Sequence, residues 1–129
     1  MTKRVVVIDD EPSVGEAVRD LLEPEGYRVD SQTDAEAALP EILRAAPDLV
    51  ILDVNMPGMN GWEFCSLLRR QSVTRTVPVL FLTGRQEIRD RITAMQVGGS
   101  DYLSKPFGAE ELREKVRSLL ENSRGAEEG

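Results

Sequence analysis

The chain alternates short apolar runs with longer amphipathic stretches. Three of the runs, residues 4–8, 49–52 and 77–82, are nearly continuous and rich in β-branched side chains. Such runs are typical of strands that are buried on both faces of a parallel sheet. Residues 27–31 alternate apolar with polar positions and residues 101–104 form only a short run. We therefore expect these two strands at the edges of the sheet.

The amphipathic stretches that follow the runs predict helices. Their expected bounds are residues 13–23, 34–46, 61–70, 86–97 and 109–120. Asp34 is placed to cap the second helix. Pro40 falls inside that helix, where a proline costs about 3 kcal/mol, so we expect a kink or a short first turn. The spacing in the fourth helix predicts an apolar face formed by Ile88, Ile92 and Met95.

Strand and helix therefore alternate five times, which predicts an α/β fold, a three-layer (βα)5 sandwich around a parallel sheet. We assign residues 1–122 to this one domain and expect residues 123–129 to be a flexible tail or the start of a linker. In such sheets the functional site lies at the carboxyl ends of the strands. The residues that follow each strand are thus the first candidates for chemistry.

Composition narrows the classes of function. The 129 residues carry a formal net charge of −7, with one cysteine and no histidine. An acidic domain repels phosphates, so we expect no direct nucleic acid binding. The apolar runs are too short to span a bilayer and no signal-peptide pattern is present, which predicts a cytoplasmic protein without membrane contact. Without histidine, Ser-His and Cys-His catalytic pairs are excluded, and any phosphohistidine must belong to a partner.

Polar side chains follow four of the five predicted strands. Asp9 and Asp10 come after the first strand, Asp53 after the third, Thr83 after the fourth and Lys105 after the fifth. Crowded carboxylates repel each other unless a cation lies between them. A shallow site with oxygen ligands suits Mg²⁺, and an ion beside a carboxylate nucleophile and an ammonium group is the equipment for phosphoryl transfer.

Each of these signals taken alone also fits an ordinary structural role. The acids after the first strand are typical of a solvated turn, and Asp53 before a turn sequence is typical of turn chemistry. Thr83 could end a strand, and Lys105 before a proline could be a surface lysine. Only their coincidence at successive strand ends favours a site over these ordinary roles.

The sequence around these positions resembles the response-regulator receiver family of two-component signalling. The resemblance extends from Lys3 to about Glu121 and rests on four motifs: VVVIDDEP at 5–12, PDLVILDVNMPGMNG at 47–61, VLFLTG at 79–84 and GSDYLSKPF at 99–107. It implies the flavodoxin-like arrangement of that family, with a parallel sheet in the strand order 2-1-3-4-5. It also implies a cis peptide bond between Lys105 and Pro106.

The resemblance assigns the acidic residues. Asp53 would be the phosphoacceptor. Mg²⁺ would be bound by Asp10, Asp53 and the backbone carbonyl of Asn55, with Asp9 assisting through water. Asn55 and Arg85 occupy positions that tune dephosphorylation in the family.

The resemblance also assigns a switch. Lys105 would contact the phosphoryl group, Thr83 would move to hydrogen-bond it, and Tyr102 would rotate inward. The partner that donates the phosphoryl group would be a histidine kinase or a histidine phosphotransfer protein. A homodimer through the fourth helix, fifth strand and fifth helix is a further implied assembly. The domain would catalyse only its own phosphorylation and dephosphorylation and would not be a dedicated enzyme.

Three alternatives stay open at this point. A phosphatase of the haloacid dehalogenase type needs a second acid two residues after the nucleophile, where this chain has Asn55. A flavodoxin-like cofactor binder needs a phosphate-cradling loop after the first strand, where Asp9 and Asp10 would repel phosphate. A receiver used only as a phosphorylation-independent docking module would not need the complete set of site residues.

Overall fold

The computed structural model describes residues 2–84 and 88–128, and within them five parallel strands pair into one sheet. The strands are β1 (Arg4–Ile8), β2 (Arg28–Gln32), β3 (Leu49–Asp53), β4 (Val79–Thr83) and β5 (Asp101–Ser104). Their order is β2-β1-β3-β4-β5. This confirms the predicted order and the two predicted edge strands, each within two residues of its expected bounds.

Helices follow the strands, as the alternation predicted. They are α1 (Pro12–Leu22), α2 (Ala35–Arg44), α3 (Gly61–Arg70), α4 (Ile88–Gln96) and α5 (Ala109–Glu128), with a 3₁₀ turn at Glu23–Glu25 after α1. The bounds of α3 match the prediction, whereas α5 continues beyond the predicted end at residue 120. The expected start of the fourth helix at residue 86 lies outside the described residues. The division between a domain and a tail after residue 122 stays a prediction.

The sheet has a hydrophobic core on each face because successive side chains of a strand point to opposite sides. Val6 and Ile8 of β1 face a core that α2 and α3 cover, together with Phe64 and Phe81. Val5 and Val7 of β1 face the other core, which α1 and α5 cover. The nearly continuous apolar runs of the central strands are thus explained by burial on both faces.

Helix α2 contains Pro40 and continues past it to Arg44. The predicted cap is confirmed, because the Asp34 side chain accepts a hydrogen bond of 3.0 Å from the backbone N–H of Glu36. Pro40 lies on the exposed side of the helix, where its ring does not enter the core. The predicted kink stays untested. No helix in the described part of the chain is both long enough and apolar enough to cross a bilayer.

The predicted apolar face of α4 is wrong for its two residues with described side chains. Ile92 is 51% exposed and Met95 is 62% exposed, while Ala94 between them is buried. Ala94 and Val97 make the contacts with the core instead. The helix therefore packs through a small residue and presents two large apolar side chains outward.

Candidate functional site

The residues at or directly after the ends of four strands lie at one edge of the sheet. Asp9 follows β1, Asp53 ends β3 and Thr83 ends β4. Lys105 follows β5, and its backbone N–H donates a 2.7 Å hydrogen bond to the carbonyl of Thr83. The predicted cis peptide between Lys105 and Pro106 is present. The sheet register thus places the predicted residues side by side.

Three carboxylates form a cluster at this edge. One oxygen from each of Asp9, Asp10 and Asp53 lies within 4.8 Å of the other two. Asp9 is 1% exposed and Asp53 is 5% exposed, whereas Asp10 is open to solvent. The cluster therefore has two acids in the protein interior and one at its mouth.

The ammonium group of Lys105 reaches into the cluster. Its Nζ lies 2.7 Å from Oδ2 of Asp9 and 3.5 Å from Oδ1 of Asp53. Backbone amides supply further hydrogen bonds: the N–H of Glu11 donates to Asp9 Oδ1 at 2.9 Å, and the N–H of Asn55 donates to Asp53 Oδ1 at 3.3 Å. Lys105 and these two backbone amides thus stabilise the ionised forms of Asp9 and Asp53.

Burial outweighs these stabilising contacts at Asp53. Burial raises the pKa of Asp53 to about 6, the negative charge of Asp9 adds to the rise, and Lys105 and the Asn55 amide oppose it. Burial alone would lower the pKa of Lys105, but its hydrogen bond to Asp9 and the charges of Asp53 and Asp9 raise the pKa above its ordinary value. The lysine therefore stays charged, and the unfavourable electrostatics fall on Asp53.

The donor set fits a hard divalent cation. The cluster offers only oxygen ligands, which suits Mg²⁺. Three carboxylates and one ammonium group leave a net formal charge of −2 when all are ionised, which a divalent ion would neutralise. Exposed Asp10 leaves the cluster open on one side, so an ion there could keep water ligands.

The two predicted switch residues differ in their surroundings. Thr83 is buried, 2% exposed, beside the backbone of Lys105. Tyr102 is half-buried against the core under α3 and α4. The guanidinium carbon of Arg91 lies 4.8 Å from the centre of its ring, and Nζ of Lys115 lies 5.5 Å from it. The predicted role of Arg85 falls outside the described residues.

Gly61 lies beside the site, and the sequence motif alone did not explain why a glycine is needed there. A Cβ atom at this position would lie 2.5 Å from the backbone oxygen of Asp53 and 2.9 Å from the Cα of Val54. The first residue of α3 therefore packs directly on the backbone that carries Asp53. The cap of Asn60, which accepts a 2.9 Å hydrogen bond from the N–H of Glu63, fixes the start of this helix.

Known proteins resemble this chain in sequence and in fold. The family model described as response regulator receiver domain matches residues 5–117. The alkaline phosphatase synthesis transcriptional regulatory protein SphR of Synechococcus elongatus is 41% identical over 129 aligned positions, which cover 93% of this chain and 49% of SphR. The phosphate regulon transcriptional regulatory protein PhoB of Escherichia coli is 35% identical over 120 positions, 93% of this chain and 52% of PhoB.

This chain thus spans about half the length of these curated relatives. Among solved structures, the chemotaxis response regulator CheY4 of Vibrio cholerae superposes with a TM-score of 0.88 at 33% identity. That match covers 92% of this chain and 99% of CheY4.

Proposed function

This chain belongs to the response regulator receiver domain family, and from that premise we propose that it is a switch driven by phosphorylation of Asp53. The observation that carries the proposal is the position of the Asp53 carboxylate. It lies inside a cluster of three acids with an ammonium group 3.5 Å away. Membership of the family also sets aside the phosphatase and flavodoxin-like alternatives.

A bound Mg²⁺ would be held by Asp10, Asp53 and the backbone carbonyl of Asn55, with Asp9 acting through water. When bound, the ion supplies positive charge that neutralises oxygens of the incoming phosphoryl group. The fit of the donor set supports this assignment. The chain's own residues orient the nucleophile, because the Asn55 amide and Lys105 both contact Oδ1 of Asp53.

The phosphoryl donor is a phosphohistidine on a histidine kinase or a histidine phosphotransfer protein. A carboxylate oxygen of Asp53 attacks the phosphorus, the P–O bond forms as the P–N bond breaks, and the imidazole leaves with the electron pair. Lys105 neutralises a phosphoryl oxygen during this transfer. Hydrolysis of the aspartyl phosphate later restores the carboxylate, so the domain processes only its own modification.

The phosphoryl group then shifts a two-state surface. Thr83 hydrogen-bonds it, and Tyr102 moves into the space that Thr83 leaves. The exposed apolar side chains of α4 and the charged residues around β5 lie on the surface that would respond. We place a phosphorylation-dependent homodimer there, and in a longer chain this dimer would control whatever module follows.

Intact-mass spectrometry tests the proposal directly. Incubation with Mg²⁺ and acetyl phosphate should add about 80 Da, the mass of one phosphoryl group on a carboxylate nucleophile. The adduct should disappear with EDTA and in Asp53→Asn. Asp20→Asn, which removes an exposed acid from α1, is the matched control and should keep the adduct.

The docking-module alternative predicts a different result. In that case neither acetyl phosphate nor beryllofluoride, which mimics a phosphoryl group, would change the protein in the presence of Mg²⁺. An adduct of the same size in Asp53→Asn would instead show that another residue accepts the phosphoryl group.

A further inference from the structure

Arg69, in the last turn of α3, joins three separate segments of backbone. Its Nε donates a 2.8 Å hydrogen bond to the carbonyl of Gly98, just beyond the end of α4. Its NH1 donates to the carbonyls of Val77 at 2.7 Å and Thr74 at 3.3 Å, in the connection before β4. One side chain therefore ties the C-terminal end of α4 to α3 and to the connection that leads into β4.

These contacts are unusual for an arginine because no ion pair with an acid accompanies them among the described residues. Burial lowers the pKa of Arg69, and the coulombic partner that opposes this is the thiol of Cys65. Hydrogen bonds from a charged donor to neutral carbonyls are stronger than neutral ones. The guanidinium group thus binds the negative end of the α4 dipole, where a cation is favourable.

Neighbouring contacts fix the same end of α4. Cys65, one helical turn before Arg69, contacts the carbonyl of Val97 through its Sγ at 3.4 Å. Gly98 adopts a φ of 91°, and a Cβ there would lie 2.9 Å from Cγ of Arg69. Ser100 is paired with Val79 through both its backbone N–H and its hydroxyl oxygen. The segment after α4 is thus held on several sides.

The described side chains in the middle of α4 bury little apolar surface. Ile92 and Met95 point to solvent, and the small side chain of Ala94 supplies the buried contact. Arg91 rests on the ring of Tyr102, at 4.8 Å from its centre. Arg91 and Gly98 are separated by roughly 10 Å along the helix, at about 1.5 Å per residue.

We propose that Arg69 and Gly98 form a pivot about which α4 swings when the receiver switches, with Arg91 on Tyr102 as the contact that transmits the movement. The inference rests on the proposed function, since Tyr102 is the switch residue there. Rotation of Tyr102 removes the surface on which Arg91 rests. The end of the helix bound by Arg69 stays in place, so displacement grows from Gly98 towards Arg91. Arg69 acts as a positioning residue, because it touches α4 and not the reacting atoms.

Nuclear magnetic resonance of the labelled protein tests the pivot, with Mg²⁺ and beryllofluoride as the probe. In the wild type, backbone shift changes should be large at Thr83 and Arg91 and should fall along α4 towards Gly98. The Nε–H signal of Arg69 should keep its position. Equal shift changes at Arg91 and at Gly98 would overturn the pivot.

The variant Arg69→Met removes the donors and keeps the length of the side chain. Amide hydrogen exchange at Gly98–Ser100 should become about tenfold faster or more, since hydrogen bonds from a charged group are lost. With the probe bound, the shift changes should then extend to Gly98. Arg70→Met, at the exposed neighbouring position, is the control and should retain the wild-type gradient. Arg69→Lys keeps the charge and should be intermediate.

Two outcomes separate the pivot from the proposed function. A response at Asp53 and Thr83 with the same gradient along α4 in Arg69→Met and wild type would refute the pivot alone. No response to the probe anywhere at the strand ends would refute both. If Arg69→Met does not fold, the wild-type gradient and Arg69→Lys still decide the question.

Discussion

At the scale of single residues, the ionised carboxylate of Asp53 lies in an unfavourable electrostatic environment when no ligand is bound. The buried carboxylate of Asp53 has its pKa raised to about 6 by burial and by Asp9, although Lys105 is close. The same environment suits a cation and a phosphoryl group that arrive together, because each supplies the charge that the other needs. Asp53, the proposed phosphoacceptor, should therefore lower the stability of the fold when nothing is bound.

The replacement Asp53→Asn tests this cost through its pH dependence. An ordinary aspartate has a pKa of 3.8, and a folded-state value of about 6 means that the folded protein holds the proton more tightly. The stability that this group contributes is fully present below pH 3.8 and is lost as the pH rises through about 6. The raised pKa corresponds to roughly 3 kcal/mol at most, and after relaxation we expect about 1–3 kcal/mol at pH 7.5.

Urea denaturation between pH 4 and pH 8, in EDTA, provides the measurement. The free energy of unfolding of Asp53→Asn should be close to the wild-type value at pH 4 and should exceed it at pH 7.5. Asp20→Asn should leave the shape of the wild-type pH profile unchanged. A difference between Asp53→Asn and wild type that stays constant over this range would contradict the raised pKa. Added Mg²⁺ should stabilise the wild type more than Asp53→Asn, because binding to the folded state stabilises it.

At the scale of elements, the strands could be predicted because a strand that is buried on both faces has apolar residues at nearly every position. An uninterrupted apolar run such as Leu49–Asp53, with an acid at its end, is typical of a central strand in a parallel sheet. The order of the strands came from the family resemblance, since the pattern of side chains alone does not choose among right-handed arrangements. The grouping of Asp9, Asp53, Thr83 and Lys105 then followed from the parallel sheet.

Helix α4 shows what the pattern could not reveal. Ile92 and Met95 follow helical spacing, but the same spacing marks a buried face and an exposed apolar patch alike. The contacts of Arg69 were also not predicted, because a basic residue in the last turn of a helix is ordinarily explained by the helix dipole alone. A signal did exist: Arg69 is four residues after buried Cys65 and next to buried Leu68, so it had to lie near the inner face.

The close approach of α3 to β3 leads to a prediction for Gly61→Ala. The added Cβ would meet the backbone of Asp53 and Val54, which no side-chain rotation can relieve. Overpacking of this kind costs about 1–3 kcal/mol. We expect a lower melting temperature and slower phosphorylation by acetyl phosphate, because the backbone that carries Asp53 must shift.

Gly84→Ala is the matched control for that change. It adds the same methyl group close to the site, at the end of β4, where nothing lies within 4 Å of the new atom. Its melting temperature should stay near the wild-type value. Equal losses of stability in the two variants would show that the contact with Asp53 is not the cause.

At the scale of the whole molecule, the acidic site and the proposed output surface lie in different parts of the fold. The acids and Lys105 occupy the carboxyl edge of the sheet, whereas α4, β5 and α5 form a lateral surface with their own charges and exposed apolar groups. Tyr102 belongs to β5, the strand that Lys105 follows, and its ring lies under Arg91 of α4. Under the proposed switch, phosphorylation of Asp53 alters this lateral surface through Thr83 and Tyr102, and a partner of the surface need not reach the site.

The proposed homodimer makes this readout measurable. Met95 is 62% exposed on α4, and burying a side chain of this size contributes about 1.5–3 kcal/mol. With Mg²⁺ and beryllofluoride the wild type should dimerise in sedimentation velocity, and Met95→Glu should weaken the dimer about tenfold or more. Val73→Glu introduces the same charge at a residue that is 56% exposed in the connection between α3 and β4, outside α4, β5 and α5. If both variants weaken the dimer equally, its interface is elsewhere; if Met95→Glu alone does so, the exposed face of α4 is where phosphorylation is read.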